Sequence, residues 1–230
     1  LRAVGNTKHP LYFLTISGVL NILLNLLLVI CFSMGVAGVA IATVVSEYLS
    51  AALIIWYLSE KSEELKLTRS DLKIDPYILK RVIAIGIPAG LQGTIFSLSN
   101  VVIQSAINSF GSDVVAGNSA TMNIEGFVYM AMNAIYQTAI TFVGQNYGAG
   151  KKKRVLRCTL QAEAIVVIVG LFFGVSAYIF STELLHIYSG SPAVVAAGKI
   201  RCAYILPIYF LCGSMDVMVG ALRGIGQSVV

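Results

Sequence analysis

The chain has little charge. Of its 230 residues only 12% are Asp, Glu, Lys or Arg, against about 25% in a typical soluble domain. It has one tryptophan, two histidines and five prolines. With a mean hydropathy of +0.82, this scarcity of charge excludes a soluble globular domain, a disordered chain and a nucleic-acid-binding module. His9 and His186 fall in expected loops on opposite sides of a membrane, and neither HExxH nor GxSxG occurs. No enzyme chemistry, metal site or cofactor is therefore expected. Cys31, Cys158, Cys202 and Cys212 have neither metal-type nor paired spacing and read as buried small hydrophobes. Gly148-Ala149-Gly150 lacks GxxxxGK[ST] and reads as a helix end and turn.

What the chain has instead is long apolar runs. A membrane-spanning helix needs about 20 mostly apolar residues, and six segments supply them: spans A (11–32), B (36–58), C (82–108), D (115–145), E (155–180) and F (204–221). Span D is long enough to be tilted, or broken near its start, and span F is short and interrupted by Pro207. The runs are too long for barrel strands. Lys and Arg then set the orientation. Counted from the first loop to the last, they number 2, 0, 6, 0, 5, 2 and 1, which sum to the 16 present. By the positive-inside rule both ends of the chain are cytoplasmic, as are the B–C and D–E loops. The E–F loop is expected to hold Lys199 and Arg201.

Six basic and five acidic residues fall within 59–81. That stretch is solvated and reads as a cytoplasmic linker between 1–58, with two spans, and 82–230, with four. Asp75-Pro76 fits an N-cap followed by Pro at the first helical position, so the helix of span C is expected to start in water. The chain opens at Leu1-Arg2 without Met and stops at Val230 in mid-pattern, which reads as a fragment of a longer protein. A six-residue pattern occurs twice, as Leu1-Arg2-Ala3-Val4-Gly5-Asn6 and as Leu222-Arg223-Gly224-Ile225-Gly226-Gln227, with six spans between. Tandem six-span halves with a site between them are one way transporters are built.

Lipid offers no hydrogen-bond partner, so polar side chains in spans should face protein or water. Asn21 and Asn25 follow Ser17 at intervals of four. Thr43, Ser46, Glu47 and Ser50 share a face of span B. Ser97, Asn100, Gln104 and Asn108 do so in span C. Glu125, Tyr129, Asn133, Gln137, Thr141 and Gln145 run down span D. These stripes point to a water-accessible cavity lined by Asn21, Asn25, Asn100, Gln104, Tyr129, Asn133 and Gln137. Acids are costly at membrane depth and tend to be functional there. Glu125, Glu47 and Asp216 are the ion-coupling candidates, and Glu163 is expected near headgroup depth. Pro88 and Pro207 are hinge candidates, and Gly86/Gly90, Gly170/Gly174 and Gly220/Gly224 are small-residue faces for close helix packing. Trp56, Tyr57, Tyr178 and Tyr188 read as interface anchors.

Four stretches together resemble the multidrug and toxic compound extrusion (MATE) transporters. They are the Leu1–Thr7 and Ala221–Ser228 pair, Gly35–Ser46 (GVAGVAIATVVS), Ile85–Gln92 (IGIPAGLQ) and Val143–Gly150 (VGQNYGAG). The resemblance covers essentially the whole chain, as helices five to ten of twelve. It implies an all-α polytopic membrane bundle of two pseudo-repeated six-helix lobes, of which this chain holds two helices of the first and four of the second. It further implies a monomeric plasma-membrane antiporter, driven by Na⁺ or H⁺, that exports drugs or organic cations by alternating access. Some family members carry an acid on the seventh helix, near Thr94 to Ser97 here, where this sequence has none. Their acid on the tenth lies farther from Leu-Arg-Gly than Asp216 does. Glu125 and Glu47 are thus candidates by physics rather than by family match. The alternatives are a lipid-linked saccharide flippase, which needs basic residues deep in its spans, and a non-transporting membrane subunit.

Overall fold

The computed structural model describes residues 1, 5–60 and 73–227. These are helical, with short turns and no strand among them. The chain divides into two compact units, Leu1–Pro76 and Tyr77–Val230. Most of the expected linker, residues 61–72, lies outside the described residues.

The first unit is a helical hairpin. Helix α1 (Lys8–Asn25) continues as a π-helical segment, Leu26–Cys31, and α2 spans Gly35–Glu60. The turn between them places Ser33 and Gly35 at positive φ, 52° and 55°. Ser17, Ser46 and Ser50 are buried, so the helices meet through small side chains. His9 lies inside α1 rather than in a loop. Its ring lies 4.3 Å from that of Tyr57, near the end of α2, so Tyr57 serves the hairpin itself.

The second unit contains α3 (Pro76–Asn108), α4 (Ser112–Gly148), α5 (Lys152–Ile179), α6 (Ser181–Tyr188), α7 (Pro192–Ile205), a 3-10 turn (Leu206–Ile208) and α8 (Phe210–Gly224). Helix α3 starts at Pro76, as the Asp75-Pro76 pair predicts, and runs unbroken through Pro88. Helix α4 is also unbroken. It forms the axis of the unit, packed by α5, α7 and α8. Met132, Val166, Leu206 and Val217 are fully buried among these helices.

Three expectations need correction. Span F begins at Pro192, not at 204: α7 with its 3-10 turn and α8 form one broken span bent by 45°. Proline cannot donate the backbone bond that would carry the helix through 207. Lys199 and Arg201 therefore lie within α7 and not in a loop, and the additional helix α6 carries His186. By length and composition four helices qualify as membrane spans, or five with the bent pair. The one expected span that does not qualify is α4, whose polar stripe lowers its hydropathy. Finally, Cys31 and Cys212 are exposed and Cys158 is half-buried. Only Cys202 is buried, and all four are free thiols.

The small-residue faces locate the close approaches. A Cβ on Gly174 would meet the Leu206 carbonyl, and one on Gly170 would meet Phe210 Cβ at 2.7 Å. The glycine pair of α5 thus forms the seat of the bend at Pro207. Gly220 and Gly224 bring α8 onto Tyr136, Ile140 and Gly144 of α4. Gly86 and Gly90 have open space around them, so the α3 pair packs against nothing among the described residues. The described residues of the two copies of the six-residue repeat share two features. Asn6 N–H donates to the Leu1 carbonyl at 3.2 Å, and Gln227 N–H to the Leu222 carbonyl at 2.9 Å. Gly5 and Gly226 take φ of +82° and +87°. At Leu222–Gln227 the six-to-one bond with a left-handed glycine ends α8 as a Schellman motif.

Gly174→Val should strain the seat of the bend. The expected cost is about 1–3 kcal/mol, the usual penalty for overpacking, read as a lower thermal midpoint of the purified protein. Gly126→Ala, at a position with open space, should leave that midpoint unchanged. Equal midpoints for the two variants would show that the close approach carries no energy.

Candidate functional site: polar seams of the second unit

Three polar clusters cross the helix seams of the second unit. The first joins α3, α4 and α7. Arg201 Nε donates to Glu125 Oε1 at 2.7 Å and Nη2 to Oε2 at 2.9 Å, a bidentate pair. Its Nη1 donates to Asn118 Oδ1 at 2.6 Å. Asn118 Nδ2 in turn donates to Gln104 Oε1 at 3.2 Å, and Gln104 Nε2 to Asn108 Oδ1 at 2.9 Å. Below the pair, Thr121 Oγ1 donates to the carbonyls of Gly117 and Gly198. Gly117 itself is so close to α7 that a Cβ would lie 2.6 Å from the Val194 carbonyl.

This cluster changes the meaning of Glu125. Sequence reasoning treats it as an acid in oil with no countercharge, because Arg201 is assigned to a loop. The structure buries Glu125 and gives it a cation of its own. Its depth also differs from the expected one. Leu206 lies against Gly174, and Arg201 is five residues, about 7.5 Å, earlier along the chain. The pair is therefore level with the end of α5 remote from the basic run Lys151–Arg154. The spacing of Arg201 from Pro192 along one helix face could have signalled this, had the start of α7 been recognised.

The second cluster lies on the exposed side of α4 and α8. Asp216 is half-buried and sits against the Tyr129 hydroxyl. Asn133 Nδ2 donates to that hydroxyl at 3.4 Å. Tyr129 is 36% exposed, Asn133 is half-buried, and Gln137 is exposed one turn further on. Asp216 is thus an acid among hydroxyl and amide groups on an accessible face, within a span. Arg223 lies about two turns along the same helix.

The third cluster gathers three of the sequence motifs. Arg223 Nη1 donates to the Tyr136 hydroxyl and Nη2 to Gln92 Oε1, both at 2.6 Å. Arg223 belongs to the Leu-Arg-Gly repeat and Gln92 closes IGIPAGLQ. The neighbouring Gly224 carbonyl would lie 3.3 Å from a Cβ on Gly144, of VGQNYGAG. One arginine therefore ties α8 to both α3 and α4.

The remaining expectations separate. Asn100 and Glu47 are exposed. Glu47 does not share the packed face of α2, which belongs to Ser46 and Ser50; Thr43 is exposed too and donates back to the Val39 carbonyl. In the first unit Asn21 Nδ2 donates to Ser46 Oγ at 3.1 Å, and Asn25 Nδ2 to Asn21 Oδ1 at 3.0 Å. Two grooves run along α4 and α5, of about 720 Å³ beside Phe127, Phe173 and Leu184 and about 490 Å³ beside Ile135 and Ile165. Their linings are largely apolar and contain none of the expected cavity residues. Ile168 and Phe172 are likewise exposed.

Removing one partner of the Glu125–Arg201 pair strands the other. Arg201→Gln should cost about 3 kcal/mol, measured as a loss of thermal stability. Arg201→Met combined with Glu125→Leu should recover most of it, and strict additivity of the two changes would contradict the coupling. Arg223→Lys keeps the charge but cannot fork to Tyr136 and Gln92 together. It should lower stability by about 1–2 kcal/mol, with Tyr136→Phe adding little in the Lys background.

The family model described as MatE matches residues 88–230, more than half of the chain. A second, the lipid II flippase MurJ, matches residues 3–111. The chain is 28% identical to the probable multidrug resistance protein YpnP of Bacillus subtilis, over 98% of this chain and 50% of that protein. It is 26% identical to the probable multidrug resistance protein NorM of Thermotoga maritima, over 100% and 50%. The chain thus spans about half the length of the curated relatives it matches. The crystal structure of the Vibrio cholerae MATE transporter VcmN in the bent form superposes with a TM-score of 0.85 at 22% identity, over 99% of this chain and 51% of that one. On the family match, with the same helical architecture, the chain belongs to the MATE family of multi-pass membrane transport proteins.

Proposed function

We propose that this chain is part of a monomeric plasma-membrane antiporter that exports amphipathic organic cations in exchange for inward Na⁺ or H⁺. The observation that carries the reading is Asp216, an acid within a span, beside Tyr129 and Asn133 on an accessible face. Family membership and the relatives named as multidrug resistance proteins support it. The distribution of Lys and Arg supports cytoplasmic placement of both ends.

Exchange follows from competition. A carboxylate at membrane depth binds a cation, either the coupling ion or the charged group of the substrate. When Asp216 cannot hold both, each displaces the other, and their movements are linked reciprocally. Glu125 is held by Arg201 and serves as a fixed pin between α4 and α7. Glu47 stays a candidate on the exposed face of α2. Alternating access uses the break at Pro207, where α7 and α8 already meet at 45°, with the α5 glycines as its seat.

Two matches favour a second reading, an anionic or lipid-linked substrate: the flippase model over residues 3–111, and the FAD transporter of Shewanella oneidensis, 25% identical over 85% of this chain and 44% of that protein. Sequence reasoning sets this reading aside because no basic residue lies deep in a span. Arg201 lies within α7, but level with the end of α5 and paired with Glu125, and Arg223 is held by Tyr136 and Gln92.

The test is uptake of a cationic dye by everted vesicles from cells expressing the full-length gene. Uptake should depend on an ion gradient, and Asp216→Asn should reduce it roughly tenfold, within the usual span of coupling energies, at unchanged protein level. Ion-independent uptake, or full activity of Asp216→Asn, would sink the mechanism. Inhibition by an anionic pyrophosphate lipid, but not by organic cations, would favour the second reading.

A further inference from the structure

Five basic side chains crowd the start of α5: Lys151, Lys152, Lys153, Arg154 and Arg157. All of them are exposed. No acid occurs in residues 126–162. The acids that flank this stretch are engaged elsewhere, Glu125 with Arg201 and Glu163 with Ser214 of α8. None of the basic side chains of this run forms an ion pair among the described residues. Their charge is therefore uncompensated, at the end of the bundle that the Lys and Arg counts assign to the cytoplasm.

These charges are not equivalent around the helix. The groove of about 490 Å³ opens between α4 and α5 directly past the basic run, and α5 lines it with Cys158, Gln161, Ala162 and Ile165. That spacing is one helix face. At about 100° of rotation per residue, Arg154 continues the face one turn before Cys158, and Arg157 flanks it one turn before Gln161. Lys152 and Lys153 fall about 130° to either side of its centre. Side chains on a helix lean toward its N-terminus, so both guanidinium groups reach from the groove toward water. On the α4 wall, Phe142 is exposed and Thr138 Oγ1 is satisfied by the Ala134 carbonyl. The walls ask for an apolar occupant and the rim for an anion.

A soluble anion would use the charges and leave the apolar walls unfilled. A lipid with a neutral head would fill the walls and leave the charges unused. We propose that the α4–α5 groove, with Arg154 and Arg157 at its rim, binds an anionic phospholipid of the cytoplasmic leaflet. One acyl chain lies in the groove between Phe142 and Ile165, and the phosphate accepts hydrogen bonds from the two guanidinium groups. Arginine suits this role because its planar fork offers paired donors to phosphate oxygens. A basic residue beside an anionic membrane surface contributes about fivefold in affinity. The binding is independent of the exporter reading and uses none of its residues.

Purified full-length protein in detergent is titrated with dioleoyl phosphatidylglycerol, and native mass spectrometry reads the apparent Kd of the first lipid bound. Dioleoyl phosphatidylcholine, with the same chains and no net charge, should bind at least about tenfold more weakly. Arg154→Gln with Arg157→Gln should weaken phosphatidylglycerol binding about 25-fold, as two such contacts together. Lys152→Gln with Lys153→Gln removes the same charge away from the groove and should change it by less than about threefold. Ala134→Trp fills the groove from an exposed position and should weaken binding at an unchanged thermal midpoint. Equal binding of the two lipids, or equal losses in the two double variants, overturns the proposal, since the charge then acts without a site. Displacement of the lipid by glycerol phosphate at equal concentration also overturns it, leaving a headgroup site alone. So does full affinity in Ala134→Trp; if the midpoint of the lipid-free variant also falls, another segment of the full-length protein covers the groove.

Discussion

Lipid cannot hydrogen-bond, and this constraint explains the polar contacts that cross from one helix to another. Asn21 reaches Ser46, Asn118 reaches Gln104, and Thr121 reaches the backbone carbonyl of Gly198. Each of these bonds joins two helices, so satisfying the polar group also fixes a helix pair. Both arginines of the bent span obey the same rule: Arg201 spends three donors on Glu125 and Asn118, and Arg223 forks between two helices.

Between these polar ties the helices approach through glycine. Dispersion contacts replace the hydrophobic effect inside a bilayer, and they need short distances. Gly170 and Gly174 let α5 accept the displaced backbone at Pro207, while Gly144 and Gly224 let α4 and α8 run side by side. The bend at Pro207 is therefore a supported structure, with a prepared seat on one neighbour and an arginine clamp near the end of α8. A helix bent without such a seat would leave the freed carbonyls of the broken turn facing apolar surface.

The charges sort by their surroundings. Glu125 is neutralised by a fixed partner and holds helices together. Asp216 faces hydroxyl and amide groups that can share a small cation but cannot cancel its charge. Glu163 touches a single serine. These three acids occur in similar apolar sequence, yet their neighbours differ: a fixed cation for Glu125, a tyrosine hydroxyl for Asp216 and a single serine for Glu163.

The sequence alone determined the membrane class, the positions of five helices, four of which qualify as membrane spans, the start of α3 at Pro76 and the repeat whose copies each carry a left-handed glycine. These depend on local composition and on residues close in the chain, such as a left-handed glycine at a helix end. Two of the three glycine pairs were also legible, because small residues four apart form a smooth face wherever they occur. Tertiary structure alone decided the partners. Arg201 looked like a loop residue because Pro207 interrupts the apolar run, and only the packing of α7 against α4 shows that it meets Glu125, 76 residues away. Likewise Glu47 and Ser46 are adjacent in sequence, but about 100° of helical rotation separates them, and the position of α1 decides which one is buried.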